Sequence, residues 1–191
     1  MKEPFLPGQY YHVFHHAVGN LNLFRDDRDY RTFLSKYTRF LGDHLSSYAY
    51  CLMPNHFHML IRVTSDKARA EEVLQRWSNF LNSYAQSYNR KYQLWGRVFQ
   101  QGLPRTLIPD EDTLVTVMHY IHFNPVKHGF TTDAWRWTYN SLSALASEAP
   151  TRLERGEVLK WFGGKAEFRR ISDAWELPEQ ETLNPKWFLE E

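Results

Sequence analysis

His56 and His58, with Phe57 between them, stand at the head of an apolar run (HFHMLIRV, 56–63). Strand side chains alternate between faces, so His56, His58, Leu60 and Arg62 share one face. Phe57, Met59, Ile61 and Val63 share the other. Two neighbouring imidazoles can hold one divalent metal. The spacing alone reads more readily as two strand histidines hydrogen-bonded at an edge, because His-x-His has many chance matches. Nor do two histidines complete a site. Zinc normally takes further His, Cys or carboxylate ligands, and Mg²⁺ or Mn²⁺ takes oxygen donors and waters. Tyr120 and Asn124 are four apart in a helical stretch, one turn apart on the same face. Asn124 has an amide oxygen to give. Pro125 predicts that the helix ends or kinks here, leaving Asn124 near an end where side chains reach outward. Tyr120 is one of 11 tyrosines, and taken singly it reads as a core or rim aromatic.

Residues 10–18 (YYHVFHHAV) read as a strand and 19–28 as a loop. A helix follows with Phe33, Leu34, Tyr37, Phe40 and Leu41 on one stripe, stopping near Gly42. The apolar runs 46–53 and 56–63 flank Pro54-Asn55, which predicts a tight hairpin. A second helix spans about 66–91, with Val73, Leu74, Trp77, Phe80, Leu81, Tyr84, Ala85 and Tyr88 as its stripe. Residues 97–108 form a strand or extended pair. A third helix starts after Pro109, where Asp110, Glu111 and Asp112 suit a helix N-terminus, and runs to about Phe123. The order β-α-β-β-α-β-α contains the split βαβ arrangement of a ferredoxin-like α+β fold. Such a fold has an antiparallel sheet with helices on one face and can leave the other face open. Trp135, Trp137 and Tyr139 suggest a strip packed back on the domain. Residues 151–162 and 165–175 read as two short helices around Gly163-Gly164. The division expected is a main domain over 1–140 and a C-terminal helical extension with an acidic tail over 141–191. In that tail Trp187 and Phe188 suggest docking.

The chain's 191 residues suffice for one domain with an extension. Its net charge of +1 does not advertise a nucleic-acid binder. The distribution says more: residues 1–130 hold 15 Lys/Arg against 11 Asp/Glu, residues 131–191 hold 8 against 11, and all nine histidines precede residue 129. The chemistry therefore falls in the basic part. Cys51 is the single cysteine, which excludes a disulfide framework or a cysteine zinc cluster and makes a reducing setting the default. Met1–Pro7 lacks a secretory apolar core, and no apolar run approaches the ~18 residues of a membrane span. A cytoplasmic protein is expected, with no membrane partner.

The stretch Leu52-Met53-Pro54-Asn55-His56-Phe57-His58-Met59-Leu60, followed by Tyr120-Ile121-His122-Phe123-Asn124-Pro125-Val126-Lys127-His128-Gly129, resembles the single-tyrosine transposases of the HUH endonuclease superfamily. It is most similar to the REP-associated tyrosine transposases, relatives of the insertion-sequence-200 type. Trp95-Gly96-Arg97-Val98-Phe99-Gln100 and Trp135-Arg136-Trp137-Thr138 extend the similarity, which covers about residues 8–140. The resemblance implies that Tyr120 is the nucleophile, that His56 and His58 are metal ligands, and that Asn124 is the third, helix-borne ligand. It implies cleavage of single-stranded or hairpin DNA with Mg²⁺ or Mn²⁺, strand transfer through a 5′-phosphotyrosine, and action at the nucleoid. Insertion-sequence relatives imply a homodimer sharing active sites; REP-associated ones imply a monomer.

The chemistry is consistent with these residue types. Free tyrosine, with a pKa of about 10, is a weak nucleophile at neutral pH, and a metal would polarise the scissile phosphate and stabilise the leaving 3′-oxygen. Lys127, His128, Arg97 and Arg105 are candidates to hold phosphates, and Trp95 to stack on a base; each basic residue could equally be a solvated charge. Two other functions are open to this sequence. One is a non-catalytic nucleic-acid-binding module on the same fold. The other is a small metalloprotein in which His56 and His58 hold structural zinc, so that chelators unfold it.

Overall fold

The computed structural model describes residues 3–64 and 70–176. Strand β1 (Tyr10–His16) leads to helix α1 (Asp27–Leu41), then to the hairpin β2 (Leu45–Met53) and β3 (His56–Val63). Helix α2 (Ala70–Tyr92), strand β4 (Arg105–Ile108) and helix α3 (Glu111–Lys127) follow. The four strands form one sheet in the order β2-β3-β1-β4, with every neighbouring pair antiparallel. Strand β3 is thus inserted between β1 and β2, which is the split βαβ topology expected from the element order. Pro54-Asn55 makes the hairpin turn. Residues 97–104 make only one isolated bridge, Ala17 with Phe99, so the paired strand of that region is the short β4.

Helices α1 and α2 pack together over one face of the sheet. Asp26 caps α1 by accepting from the backbone N–H groups of Arg28 and Asp29. Phe33, Tyr37 and Leu41 of α1 meet Val73, Trp77, Phe80 and Tyr84 of α2 over Phe57, Met59, Ile61 and Val63 of β3. Asp29 is buried, and Lys91 and Tyr92 of α2 bind its carboxylate at 2.7 Å each. The proposed start of this helix at 66–69 lies outside the described residues.

The opposite face, which the simple fold can leave open, is also covered. Helix α3 lies across β2 and β3, and behind it come a 3-10 turn (Ala134–Arg136) and helices α4 (Leu142–Ala146), α5 (Arg155–Trp161) and α6 (Lys165–Asp173). The physical reason is in the strands. Tyr48, Cys51, Met53 and Leu60 point to this face and need an apolar partner, which Val117, Ile121, Leu142, Leu145, Val158 and Phe168 provide. The tryptophan strip packs back as expected: Trp137 donates from Nε1 to the Leu52 carbonyl at 3.0 Å, and Tyr139 stacks on Tyr30 at 3.7 Å. The two short helices flanking Gly163-Gly164 are α5 and α6, while α4 was not anticipated. Glu157 of α5 fastens the extension to the sheet, accepting from the Tyr48 hydroxyl at 2.8 Å and pairing with Arg62 at 3.2 Å. No helix among the described residues is long and apolar enough to cross a membrane. The tail 177–191, with Trp187 and Phe188, lies outside the described residues.

Candidate active site

The period-two rule puts His56 and His58 on the α3 side of β3. The β1–β3 register sets His16 opposite His56 and Phe14 opposite His58. Because His12, Phe14 and His16 alternate with Val13 and His15, His12 and His16 face the same way as the pair on β3. Helix α3 closes the site from above.

The sequence predicts that α3 ends or kinks at Pro125; it does not end there but runs through Pro125 to Lys127. A proline one turn from a helix end removes a single intrahelical bond. Beyond it the last carbonyls of the helix are closed by the backbone N–H groups of His128, onto Asn124 O at 3.0 Å, and Phe130, onto Pro125 O at 2.9 Å. Asn124 therefore does not reach outward. It is fully buried, and its Oδ1 lies 3.0 Å from His56 Nε2.

Tyr120, one turn before Asn124, is also buried, and its ring stands edge-on to that of His58, with centroids 5.8 Å apart. Lys127, two turns further along the same helix, donates from Nζ to Tyr120 Oη at 3.0 Å and lies over the phenol ring at 4.8 Å. The His128 ring approaches His56 at 5.1 Å. Tyr120, His56, His58 and Asn124 thus converge, with Lys127 and His128 at the rim. The side chains at the edge of the cluster are half-buried His16 and Lys127 and exposed His128.

The donor chemistry bears on a metal. His56 Nδ1 lies 2.8 Å from Asn55 Oδ1, while its Nε2 faces Asn124 Oδ1. A neutral imidazole has one N–H to share between these two amide oxygens. A cation on His56 Nε2 and Asn124 Oδ1 would resolve that, leaving Nδ1–H for Asn55. Among the described residues no group of three or more His, Cys, Asp or Glu side chains is placed to hold a metal ion. An ion here would therefore need the Asn124 amide beside the two imidazoles, a neutral set suited to Mg²⁺ or Mn²⁺ with waters.

The remaining candidates lie elsewhere. Arg97 and Arg105 line a groove of about 850 Å³ between α2 and residues 96–105, on the α1–α2 side of the sheet. Arg105 donates to the carbonyls of Glu3 at 2.6 Å and Leu103 at 3.1 Å and lies over the Phe5 ring, so it ties the N-terminal segment to β4. Trp95 is 89% exposed beside that groove.

His12, His16 and Asn55 belong to the cluster and were not singled out from the sequence. Their signal was present in the even spacing of His12 and His16 in a strand. His119 and His122 flank Tyr120 in sequence but turn into the second core. Burial pulls His119 down to about 4 and His122 well below its usual value, so both are neutral and neither is poised for proton transfer at neutral pH.

Comparison with known proteins bears on the family resemblance and the fold. No family model matches the chain. A curated protein of Haemophilus influenzae, named as a REP-associated tyrosine transposase, is 31% identical over 104 residues, a stretch covering 49% of this chain and 56% of that protein. The chain thus matches little more than half the length of this relative. A solved REP-associated tyrosine transposase bound to a REP hairpin superposes with a TM-score of 0.66 at 14% identity, covering 78% of this chain and 87% of that one. The first bears out the resemblance read from the motifs, and the second bears out the α+β fold.

Proposed function

We propose that the chain is a single-strand DNA endonuclease and strand transferase of the HUH type, acting on hairpin DNA through Tyr120. The observation that carries this reading is the convergence of one tyrosine, two strand histidines and one helix-borne amide, drawn from elements far apart in sequence, with a lysine and a histidine at the edge of the cluster. The similarity to REP-associated transposases supports it.

In this reading the Tyr120 oxygen attacks the scissile phosphorus. A bond forms between Oη and the 5′-phosphate, the bond to the 3′-oxygen breaks, the phenol gives up its proton, and the leaving 3′-oxygen gains one. Reversal reseals the strand without ATP. His56, His58 and Asn124 would hold a divalent ion, which would supply positive charge to the phosphate and the leaving oxygen. Lys127 covers the phenol and keeps its oxygen hydrogen-bonded. An incoming phosphate competes for that ammonium and is thereby drawn to the oxygen that attacks it. His128 offers a second contact at the rim. Because Tyr120 is buried against the sheet, a flexible single strand reaches it more readily than a duplex does. The three helices behind α3 brace it, so residues 1–140 form the catalytic unit and the extension its support.

The test is end-labelled single-stranded hairpin DNA from the gene's flanks, incubated with Mn²⁺ or Mg²⁺ and resolved on a denaturing protein gel. A labelled band at protein mass, absent from Tyr120→Phe, is expected. A metal-independent native shift of the same DNA with no covalent band would favour the binding module instead.

A further inference from the structure

His58 has a buried histidine neighbour with no counterpart in the motif. His12 Nε2 lies 2.9 Å from His58 Nδ1, and the two rings are stacked with centroids 5.1 Å apart. The register explains the meeting: β1 sets His12 opposite Leu60 and Phe14 opposite His58, so His12 is diagonal to His58 on the same face. His12 is 1% exposed and is held between Phe14 at 5.2 Å and Tyr120 at 6.2 Å.

A neutral imidazole carries one N–H and one lone pair. The step that follows rests on the reading of His58 as a metal ligand. A ligating nitrogen must present its lone pair. With Nδ1 directed at His12, the ligating nitrogen of His58 is Nε2, and its proton sits on Nδ1. His12 Nε2 must then accept a hydrogen bond from His58 Nδ1–H, which places the proton of His12 on its own Nδ1. One hydrogen bond thus fixes the tautomers of both rings.

We propose that His12 is a positioning residue of the metal site, accepting from His58 Nδ1–H and so fixing the ring rotation and tautomer that offer Nε2 to the ion. Ligating histidines are usually held from behind in this way, often by a carboxylate. A histidine in that place adds no negative charge. The charge of the ion is left for the anionic DNA backbone. Asn55 Oδ1 stands in the equivalent relation to His56, so each ligand histidine has a neutral acceptor behind it.

The experiment is Mn²⁺ binding to the full chain, followed by the EPR signal of free Mn²⁺, for wild type, His12→Phe, His12→Gln and His58→Ala. His12→Phe keeps the ring volume and removes the acceptor. It is expected to weaken Mn²⁺ about 10- to 100-fold, the usual effect of losing such a partner. His12→Gln, whose amide oxygen can accept the same proton, is expected to recover most of that loss. Wild-type Mn²⁺ affinity in a folded His12→Phe overturns the proposal. Should that variant not fold, the imidazole ¹⁵N spectrum of the unmodified chain with Mg²⁺ decides the matter. A proton on Nδ1 of both rings supports the role, and a proton on Nε2 of His12 overturns it. If wild type and His58→Ala alike bind no Mn²⁺, the ligand reading of His58 fails, and the role of His12 fails with it.

Discussion

Acid should loosen α3, the helix that carries Tyr120, and His119 supplies a definite part of the loss. It precedes Tyr120 on α3 and is fully buried, with Nδ1 3.0 Å from the Val115 carbonyl, Nε2 3.3 Å from Ser172 Oγ, and its ring stacked 4.2 Å from Trp175. Burial disfavours the charged ring and outweighs the opposing pull of the Val115 carbonyl, lowering the pKa from 6.5 to about 4. The unfolded chain takes up a proton below about pH 6.5, whereas the folded chain refuses it until about pH 4. Stability is therefore whole above that window, falls as pH drops through it, and levels off below. The slope is about 1.4 kcal/mol per pH unit, or roughly 3 kcal/mol over the window. His122, depressed by burial and by His119, adds a loss of the same sign. The assay is guanidinium unfolding of wild type and His119→Phe at about pH 7.5 and about pH 4.5, a comparison in which the carboxylates common to both cancel. Phenylalanine keeps a ring to stack on Trp175 and to stand edge-on to Phe162 but binds no proton. Wild type is expected to lose about 2–3 kcal/mol more than the variant. Equal losses in the two proteins would refute the reasoning.

Three further outcomes are expected. Glu157→Ala leaves the Tyr48 phenol and Arg62 without their carboxylate and should cost about 2 kcal/mol, lowering the melting temperature by roughly 4–8 °C; an unchanged melt would mean that α5 is not held to the sheet through this residue. Lys127→Met removes a charged hydrogen bond to Tyr120 Oη and should slow covalent adduct formation by about tenfold or more in single-turnover experiments, with partial rescue by Lys127→Arg; a wild-type rate would exclude the lysine from the reaction. EDTA should abolish the adduct while moving the melting temperature by no more than about 2 °C, because both cores are aromatic and aliphatic; chelator-induced unfolding would point instead to structural zinc.

Period-two alternation was enough to place His56 and His58 together on one face, because strand geometry is local and Phe57, Met59, Ile61 and Val63 had to face the first core. The element order likewise determined the sheet topology, since a hairpin and two helical crossovers leave few antiparallel arrangements. The pairing of Tyr120 with Asn124 was also legible, through helical periodicity. Local rules were incomplete at Pro125, where the sequence predicts an end or a kink and the helix runs on to Lys127, because a missing N–H so near a helix end costs a single bond. The enlistment of His12 depended on register: a shift of one residue between β1 and β3 would have turned it to the opposite face. The separation of Arg97 and Arg105 from the histidines came from which side of the sheet their segment crosses. The covering of the second face came from the extension returning over α3. Spacing along one element is written in the chain, whereas contact between elements distant in sequence exists only once the sheet has set their faces and register.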